Sequence, residues 1–491
     1  MDKNIHLILD EDKKVYEQEQ NHLLKTILDL RFFNPWQLKT TFKDNRSLQL
    51  DSGLELYITN ECNQHCQYCY LTKYPKLYPE ECKSHETILN NLRILYDYLL
   101  ARSMYIPQLD LFSGEIWHTE FGWQILDITY EYIQRGLIIG RIDLPSNCSF
   151  LDDDVIFAKI QNYVDSFMSV GTILSISISI DGKYIDNMGR SRDDKSQKYT
   201  DEFYDRVFIF AKHNGFNFHP MISAKNIHLW PENMKWWIKK CDEYDINFTH
   251  SVMMLEVRNN DWTEETIDLY CNFVEQLADY FLNHDCKGNV IKFANAVVGA
   301  RLQPGDPTSG TAYIPWVLGD NRDYRGCTVS NLLTVRLGDL AICPCHRQAY
   351  DKYLYGKFKV EDNCIIDIEA INPYMAIKIL MGSDYSNFHK CDACIYNHYC
   401  LKGCFGSQLE TYGDPFFPIE CVCQLLQRKY DTVLQYYKKL NIYEYYLTFN
   451  SNEPGINRVV ALLELKQIWE ANKDGMSSQC TNTAGTNGSN V

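Results

Sequence analysis

The chain alternates short apolar runs with longer segments in which apolar residues recur at every third or fourth position. Between residues 51 and 265 the short runs predict six strands, at Leu54–Thr59, Gln108–Ser113, Arg141–Leu144, Leu174–Asp181, Phe216–Ser223 and Asn247–Glu256. The longer segments predict helices near 84–102, 121–135, 153–164, 200–213 and 231–242. Such alternation is typical of a parallel sheet with crossover helices. The sheet either curls into a barrel, with its chemistry at the carboxyl ends of the strands, or stays open.

Beyond this α/β region the alternation of strands and helices becomes weaker. We expect a helix at 264–282 within a connecting segment, 266–326, whose last part, 303–326, is loop-like. Residues 327–423 are rich in cysteine and predict a small domain held together by metal. Helices are predicted at 424–440 and 456–471, and the polar residues 472–491 predict a disordered tail. Residues 1–50 are a short N-terminal region.

Composition and charge exclude some classes of function. The 491 residues are 45% hydrophobic and 23% charged, as in ordinary globular proteins. The formal net charge of -16 argues against a nucleic-acid partner, because phosphate binding needs clustered lysine and arginine. The sequence contains no apolar run of membrane-spanning length and no signal-peptide core at its start. We therefore expect a cytoplasmic protein with no membrane partner.

The 19 cysteines indicate chemistry through their spacing. Dense thiols in a chain without a secretion signal are typical of metal binding, although free cysteine is also a common core residue. Directly after the first predicted strand stands C-x3-C-x2-C, formed by Cys62, Cys66 and Cys69. Three thiolates on one loop can hold three irons of a 4Fe–4S cluster and leave the fourth iron open. The alternative is a zinc ion that takes a fourth ligand such as His65.

More cysteines follow in the predicted metal domain. Ten residues separate Cys327 from Gly338, and four separate Gly338 from Cys343. A four-cysteine block, C-x2-C-x5-C-x3-C, is followed after sixteen residues by one further cysteine; the five are Cys391, Cys394, Cys400, Cys404 and Cys421. Zinc ribbons use similar short spacings, so zinc is the alternative here as well.

The first cysteine loop resembles the signature of the radical S-adenosylmethionine (AdoMet) superfamily, including the aromatic Tyr68 before the third cysteine. That resemblance covers about residues 51–265 and implies a partial (β/α) barrel. In the family the open iron binds AdoMet, and one electron from a flavodoxin or ferredoxin type of donor cleaves it to a 5′-deoxyadenosyl radical. The radical then abstracts a hydrogen atom from the substrate.

Other segments resemble family motifs in the family's order. Ser113-Gly114-Glu115-Ile116 matches two of four positions of Gly-Gly-Glu-Pro, which implies that Glu115 binds the methionine amino group. Ser179 begins a Ser-x-Asp-Gly turn, which implies a contact with the ribose. Arg190 or Arg192 stands where relatives have an arginine for the carboxylate. Two weaker matches are Ser146-Asn147-Cys148, where Thr-Asn-Gly is frequent, and Glu256-Val257-Arg258.

The seven downstream cysteines are similar to the SPASM domain, which holds two auxiliary 4Fe–4S clusters in many radical AdoMet enzymes that modify peptides and proteins. The resemblance implies that the first cluster is bound by Cys327, Cys343 and Cys404, and the second by Cys391, Cys394, Cys400 and Cys421. No cysteine lies between Cys327 and Cys343 to supply the fourth ligand that some relatives have. Cys345 can take that role, or the iron is open to substrate. Cys423 competes with Cys421.

Three functions fit these observations. A maturase that crosslinks or otherwise oxidises a ribosomally made peptide is the leading one, and AdoMet plus three 4Fe–4S clusters are its expected cofactors. The second is a sulfatase-maturase-like enzyme that makes formylglycine; such relatives carry an aspartate directly after the Gly-x4-Cys cysteine, where this chain has Pro344. The third is an iron–sulfur scaffold or electron carrier without radical chemistry.

Overall fold

The computed structural model describes residues 18–25, 53–73, 84–112, 114–118, 120–192, 199–248, 255–256, 261–284, 333–373 and 403–439, and single positions 376, 388, 390, 391, 394, 395 and 467. The strands are β1 (Leu54–Tyr57), β2 (Gln64–Cys66), β3 (Tyr105–Phe112), β4 (Ile138–Ser146), β5 (Ile173–Ile178), β6 (Arg190–Arg192), β7 (Met221–Ile222), β8 (Leu255–Glu256), β9 (Leu333–Arg336), β10 (Ala341–Cys343), β11 (Gly356–Glu361) and β12 (Cys364–Ala370). The helices are α1 (Tyr70–Lys73), α2 (His85–Ala101), α3 (Glu120–Gln134), α4 (Asp154–Ser169), α5 (Lys183–Gly189), α6 (Asp201–Asn214), α7 (Trp230–Glu243), α8 (Glu264–His284), α9 (Phe405–Tyr412) and α10 (Glu420–Lys439).

One large sheet organises the chain. Its eight strands have the order β12-β11-β10-β9-β1-β3-β4-β5. β1, β3, β4 and β5 run parallel, and a helix lies between each consecutive pair along the chain. The parallel pairing continues through a bridge from Ile178 to Phe218, and β7 pairs in parallel with β8. The predicted α/β class, with a partial (β/α) core, is confirmed.

The local sequence explains why these elements form where they do. β5 alternates, with Leu174, Ile176 and Ile178 buried under the helices and serines on the opposite face. Three helices begin at a polar cap whose side chain accepts a backbone N–H: Ser84 for α2, Asp153 for α4 and Thr200 for α6. These helices begin and end within a few residues of the predicted bounds. The predicted strand at Phe216–Ser223 is shorter, with strand structure only at β7 and the bridge.

The cysteine-rich region extends the same sheet. β9 pairs in parallel with β1, with Leu333 opposite Leu54, and β10, β11 and β12 follow in antiparallel order. Farther along, α10 lies beside α8, and Arg428 forms an ion pair with Asp268 between them. The described part of the predicted metal domain is therefore joined to the core by backbone hydrogen bonds.

Some predictions fall outside the described residues. These are most of the strand at Asn247–Glu256, the loop at 303–326, the polar tail, nearly all of the helix at 456–471, and the residues Ser113, Val257, Arg258, Cys327 and Cys400. The domain boundaries therefore stay predictions. Among the helices that the structure describes, none is long and apolar enough to cross a membrane.

Candidate functional site

The predicted cluster loop follows β1, contains β2, and pairs with the short strand β6. β2, which ends at Cys66, pairs antiparallel with β6, and the Gln67 N–H donates to the Gly189 carbonyl at 3.0 Å. The Cys69 N–H donates to the Cys66 carbonyl at 3.0 Å and closes the turn between the last two cysteines. The loop is thus a small hydrogen-bonded unit at the carboxyl end of β1.

The three thiols share one environment. Burial raises the pKa of Cys66 to about 11 and that of Cys62 further, and the nearby charges of Glu115, Cys66 and Cys69 add to the rise at Cys62. In the described part of the chain, no three His, Cys, Asp or Glu side chains converge on one ion-sized point. Thiolates of an iron–sulfur cluster bind separate irons, so they do not need to converge in that way. The donor set fits a cluster with one open iron.

Gly114 makes the turn that follows β3. Its φ is +65°, and a Cβ at this position would lie 2.1 Å from the Glu61 carbonyl oxygen, so only glycine fits. The next N–H, that of Glu115, donates to the same carbonyl at 2.8 Å. This turn therefore packs the predicted AdoMet-binding motif directly against the cysteine loop.

Glu115 is a buried carboxylate that accepts hydrogen bonds from Ser146 and Asn147. It is 3% exposed and accepts hydrogen bonds from the Ser146 hydroxyl at 2.8 Å and the Asn147 N–H at 2.7 Å. Burial raises its pKa to about 7, although these two hydrogen bonds and the charge of Arg190 lower it. A positively charged group placed beside Glu115 would stabilise its ionised form.

The loop after β4 packs against the same cysteine loop. The Asn147 amide donates to Asn63 of the cysteine loop at 2.8 Å, and the Ser179 N–H donates to the Ser146 carbonyl at 2.7 Å. Ser179 is half-buried and begins the turn after β5. Cys148 has a φ of +59°, a conformation that favours glycine, which explains why a glycine is frequent at the matching position of the family motif.

Arg190 lies in a buried network behind the cysteine loop. Its Nη1 donates to the Tyr68 hydroxyl at 2.9 Å, and its guanidinium lies 3.8 Å from Asp181 and 3.7 Å from Asp186. Tyr68 in turn donates to Asp181 at 2.6 Å. The structure thus gives the predicted carboxylate-binding arginine four protein neighbours, counting Gln64 at 3.4 Å. Arg192, the last residue of β6, pairs through its backbone with Gln64 of β2. The side chain of Arg192 lies outside the described part of the structure.

Sequence reasoning missed Asp186 entirely. Its carboxylate accepts the N–H groups of Asp181 and Gly182, at 2.8 and 2.9 Å, and the Tyr204 hydroxyl at 2.9 Å. It therefore shapes the Ser-x-Asp-Gly turn from inside α5. An aspartate on a short helix carries no sequence signal for this, because it looks like an ordinary solvent-facing residue.

Two predicted ligands of the first auxiliary cluster lie on segments that pack together. Cys343 ends β10, and Cys404 immediately precedes α9. α9 is attached to the β10 segment by a two-armed ion pair from Arg347 to Glu410, at 2.9 and 3.2 Å. Cys345 lies two residues from Arg347 on the same segment.

This segment also reaches the carboxyl ends of the core strands. His346, which follows Cys345, donates its backbone N–H to Glu55 of β1 at 2.6 Å, and its Nδ1 lies 2.8 Å from the other oxygen of Glu55. Its ring stacks on Phe112, the last residue of β3, with 4.3 Å between centroids. The segment that carries Cys343 and Cys345 therefore contacts the end of β3, three residues before Glu115.

Three predicted ligands of the second auxiliary cluster, Cys391, Cys394 and Cys421, lie among the described residues, and Cys421 is in α10. The Cys394 N–H donates to the Cys391 carbonyl at 2.9 Å, and the Gln427 amide of α10 lies 3.8 Å from the Cys394 sulfur. Burial raises the pKa of Cys421, and backbone N–H groups of Trp262, Cys421 and Val422 at its sulfur offset part of that rise. Cys421 thus lies beside Trp262, whereas Cys423 shares the helix face of Gln427, which contacts Cys394. Cys421 as the ligand, with Cys423 competing, stays a prediction.

The fold is shared with solved structures of anSMEcpe, a radical AdoMet/SPASM anaerobic sulfatase maturase. With AdoMet bound, anSMEcpe is 13% identical over 81% of this chain and 99% of its own, with a TM-score of 0.52. With AdoMet and the Cp18Cys peptide bound, it is 14% identical over 80% of this chain and 98% of its own, with a TM-score of 0.51. At this identity the likeness shows the fold alone.

No protein-family model matches the chain, and no curated protein matches it significantly.

Proposed function

We propose that this chain is a cytoplasmic radical AdoMet enzyme that modifies a peptide or protein by hydrogen abstraction, with one catalytic and two auxiliary 4Fe–4S clusters. The observation that carries the proposal is the meeting of the C-x3-C-x2-C loop with Glu115 and Ser179 at the carboxyl ends of β1, β3, β4 and β5. The shared fold supports it, since anSMEcpe holds AdoMet in that fold.

The residues around the pocket then have distinct roles. Cys62, Cys66 and Cys69 would hold the catalytic cluster, which supplies reductive cleavage of AdoMet when bound. The buried Glu115 would bind the methionine amino group, because a cation relieves the cost of its buried charge. Ser179 would bind the ribose. Arg190, with its carboxylate and tyrosine neighbours, would support the loop, or contribute to carboxylate binding from behind it.

The auxiliary clusters suit an oxidative modification. Oxidation of a substrate radical releases an electron, and a cluster held by Cys327, Cys343, Cys404 and Cys345 would stand next to the proposed AdoMet site to accept it. The second cluster, held by Cys391, Cys394, Cys400 and Cys421, would pass it onward. A flavodoxin or ferredoxin type of donor would reduce the catalytic cluster. A peptide substrate agrees with the structure of anSMEcpe that contains a peptide.

Formylglycine formation is the second candidate, and the likeness to a sulfatase maturase favours it. Pro344 argues against it, because proline has no side-chain base to take the substrate proton. We therefore rank crosslinking or another oxidation first.

The test uses the anaerobically reconstituted protein with dithionite and AdoMet, and measures iron and 5′-deoxyadenosine. We expect about twelve irons per chain, four for each of three clusters, and turnover that requires Cys66. Cys66→Ala should abolish 5′-deoxyadenosine formation, while Cys364→Ala, an exposed cysteine on β12, should leave it unchanged. A colourless zinc protein would refute the proposal.

The reaction type is tested with candidate peptides and mass spectrometry. Loss of two hydrogens would indicate a crosslink or another two-electron oxidation, and an unchanged mass with deuterium uptake would indicate epimerisation. Fast conversion of a sulfatase-type Ser or Cys peptide to the aldehyde would reverse the ranking of the two candidates.

A further inference from the structure

Gln348 is a buried glutamine beside the proposed first auxiliary cluster. Its side chain has no exposed surface, and it ends the short turn His346–Gln348. The Gln348 N–H donates to the Cys345 carbonyl at 2.9 Å, and its side-chain Oε1 lies 3.9 Å from the Cys345 sulfur. The amide group is therefore held within reach of that sulfur.

The second polar atom of this side chain is the amide nitrogen, Nε2. Among the residues that the structure describes, Nε2 of Gln348 has no hydrogen-bond partner. Buried amide N–H groups in native proteins are almost always bonded, and leaving one without an acceptor costs free energy. An unsatisfied donor in a fully buried place indicates that the functional protein supplies an acceptor there.

Cluster sulfur is the acceptor that fits. As a thiol, Cys345 donates to Oε1; as a cluster ligand it has lost its proton, so its sulfur only accepts hydrogen bonds. Rotation of the terminal amide about its last side-chain bond exchanges the oxygen and the nitrogen. The N–H group can then point to the thiolate, or stay in place and reach a sulfide of the cluster.

We propose that the side-chain amide of Gln348 donates a hydrogen bond to a sulfur of the first auxiliary cluster and thereby raises its reduction potential. This inference rests on the proposed function, since it requires a cluster at Cys343, Cys345 and Cys404. A donor to sulfur stabilises the reduced cluster, which carries one more negative charge. Gln348 is thus a positioning and tuning residue that makes the cluster a better electron acceptor.

The experiment is a redox titration followed by electron paramagnetic resonance on the full chain. Replacing Cys62, Cys66 and Cys69 by Ala removes the catalytic cluster and leaves the two auxiliary signals. Gln348→Met, which keeps the length of the side chain and removes the donor, should move one of the two midpoint potentials to a more negative value. The other potential and the iron content should not change.

Two further variants make the result specific. Gln348→Glu keeps the shape but replaces the donor by an acceptor, and should shift the same potential at least as far. Tyr353→Phe is the matched control, because its hydroxyl donates to the Leu409 carbonyl at 3.3 Å, on α9; it should shift neither potential.

The outcomes separate this inference from the proposed function. Unchanged potentials in both Gln348 variants, with iron retained, would overturn the inference and leave the proposed function standing. Loss of the cluster in both variants, but not in Tyr353→Phe, would also overturn it, because Gln348 would then act in assembly. Absence of any auxiliary iron in the unsubstituted protein would refute the proposed clusters themselves.

Discussion

Replacing Tyr68 by Phe removes one hydroxyl from the buried network behind the cysteine loop. That hydroxyl donates to Asp181 and accepts from Arg190, at 2.6 and 2.9 Å, so it makes two hydrogen bonds to charged groups. Burial raises its pKa well above the ordinary value, so it stays protonated and able to donate. The ring remains in the variant, and only the link between loop and network is lost.

The magnitude follows from these two bonds. Each is worth about 1.5–3 kcal/mol because its partner is charged. Part of the loss is recovered, since the Arg190 guanidinium already lies 3.8 Å from Asp181 and can close on it. We therefore expect a net local cost of about 2–3 kcal/mol. That cost corresponds to an equilibrium constant for opening of the loop that is about 30- to 150-fold larger.

Hydrogen–deuterium exchange on the cluster-free chain measures this opening at two amides, that of Gln67, which is bonded to Gly189 of α5, and that of Cys69, which is bonded within the loop. The matched control is Tyr96→Phe, whose hydroxyl bonds Thr129 at 3.0 Å in the core, a neutral pair worth about 1 kcal/mol. It should leave loop exchange unchanged. Less than threefold acceleration in Tyr68→Phe, or equal acceleration in the control, would refute the claim that this network holds the loop.

Three further results are expected. Joint replacement of Cys62, Cys66 and Cys69 by Ala should leave about two thirds of the iron and abolish AdoMet cleavage. An iron assay and the yield of 5′-deoxyadenosine measure the two effects. Glu115→Gln should weaken AdoMet binding at least about tenfold in equilibrium dialysis, because a neutral amide loses the charge interaction with the amino group; unchanged affinity would remove Glu115 from the pocket. Cys421→Ala should release iron and Cys423→Ala should not, and the reverse pattern would exchange their assignments.

Much of the core could be predicted because local patterns and packing agree there. The helices from α2 to α7 lie where apolar periodicity placed them, apart from α5, which is only seven residues long. The turn at Gly114 and the left-handed backbone at Cys148 also follow the family motifs. At these positions one or two residues determine the backbone conformation, so a short sequence match is enough to predict it.

The network and the sheet extension could not be predicted in this way. β2 and β6 have three residues each and pair across more than 120 positions, so neither has a periodicity of its own. The pairing of β9 with β1 likewise joins residues about 280 positions apart. Asp186 and Gln348 act through partners that only the folded chain brings near, and their sequence neighbours give no sign of it.

The pairing of β9 with β1 leaves no hinge between these two strands. Four successive residues, from Leu54 opposite Leu333 to Tyr57 opposite Arg336, lie in register, and β1 also pairs with β3. Central strands of this kind open only with the largest free energies in a protein. For the proposed cluster at Cys343, the tunnelling distance from the proposed AdoMet site would then be fixed by the backbone, and it would not change as substrates enter and leave.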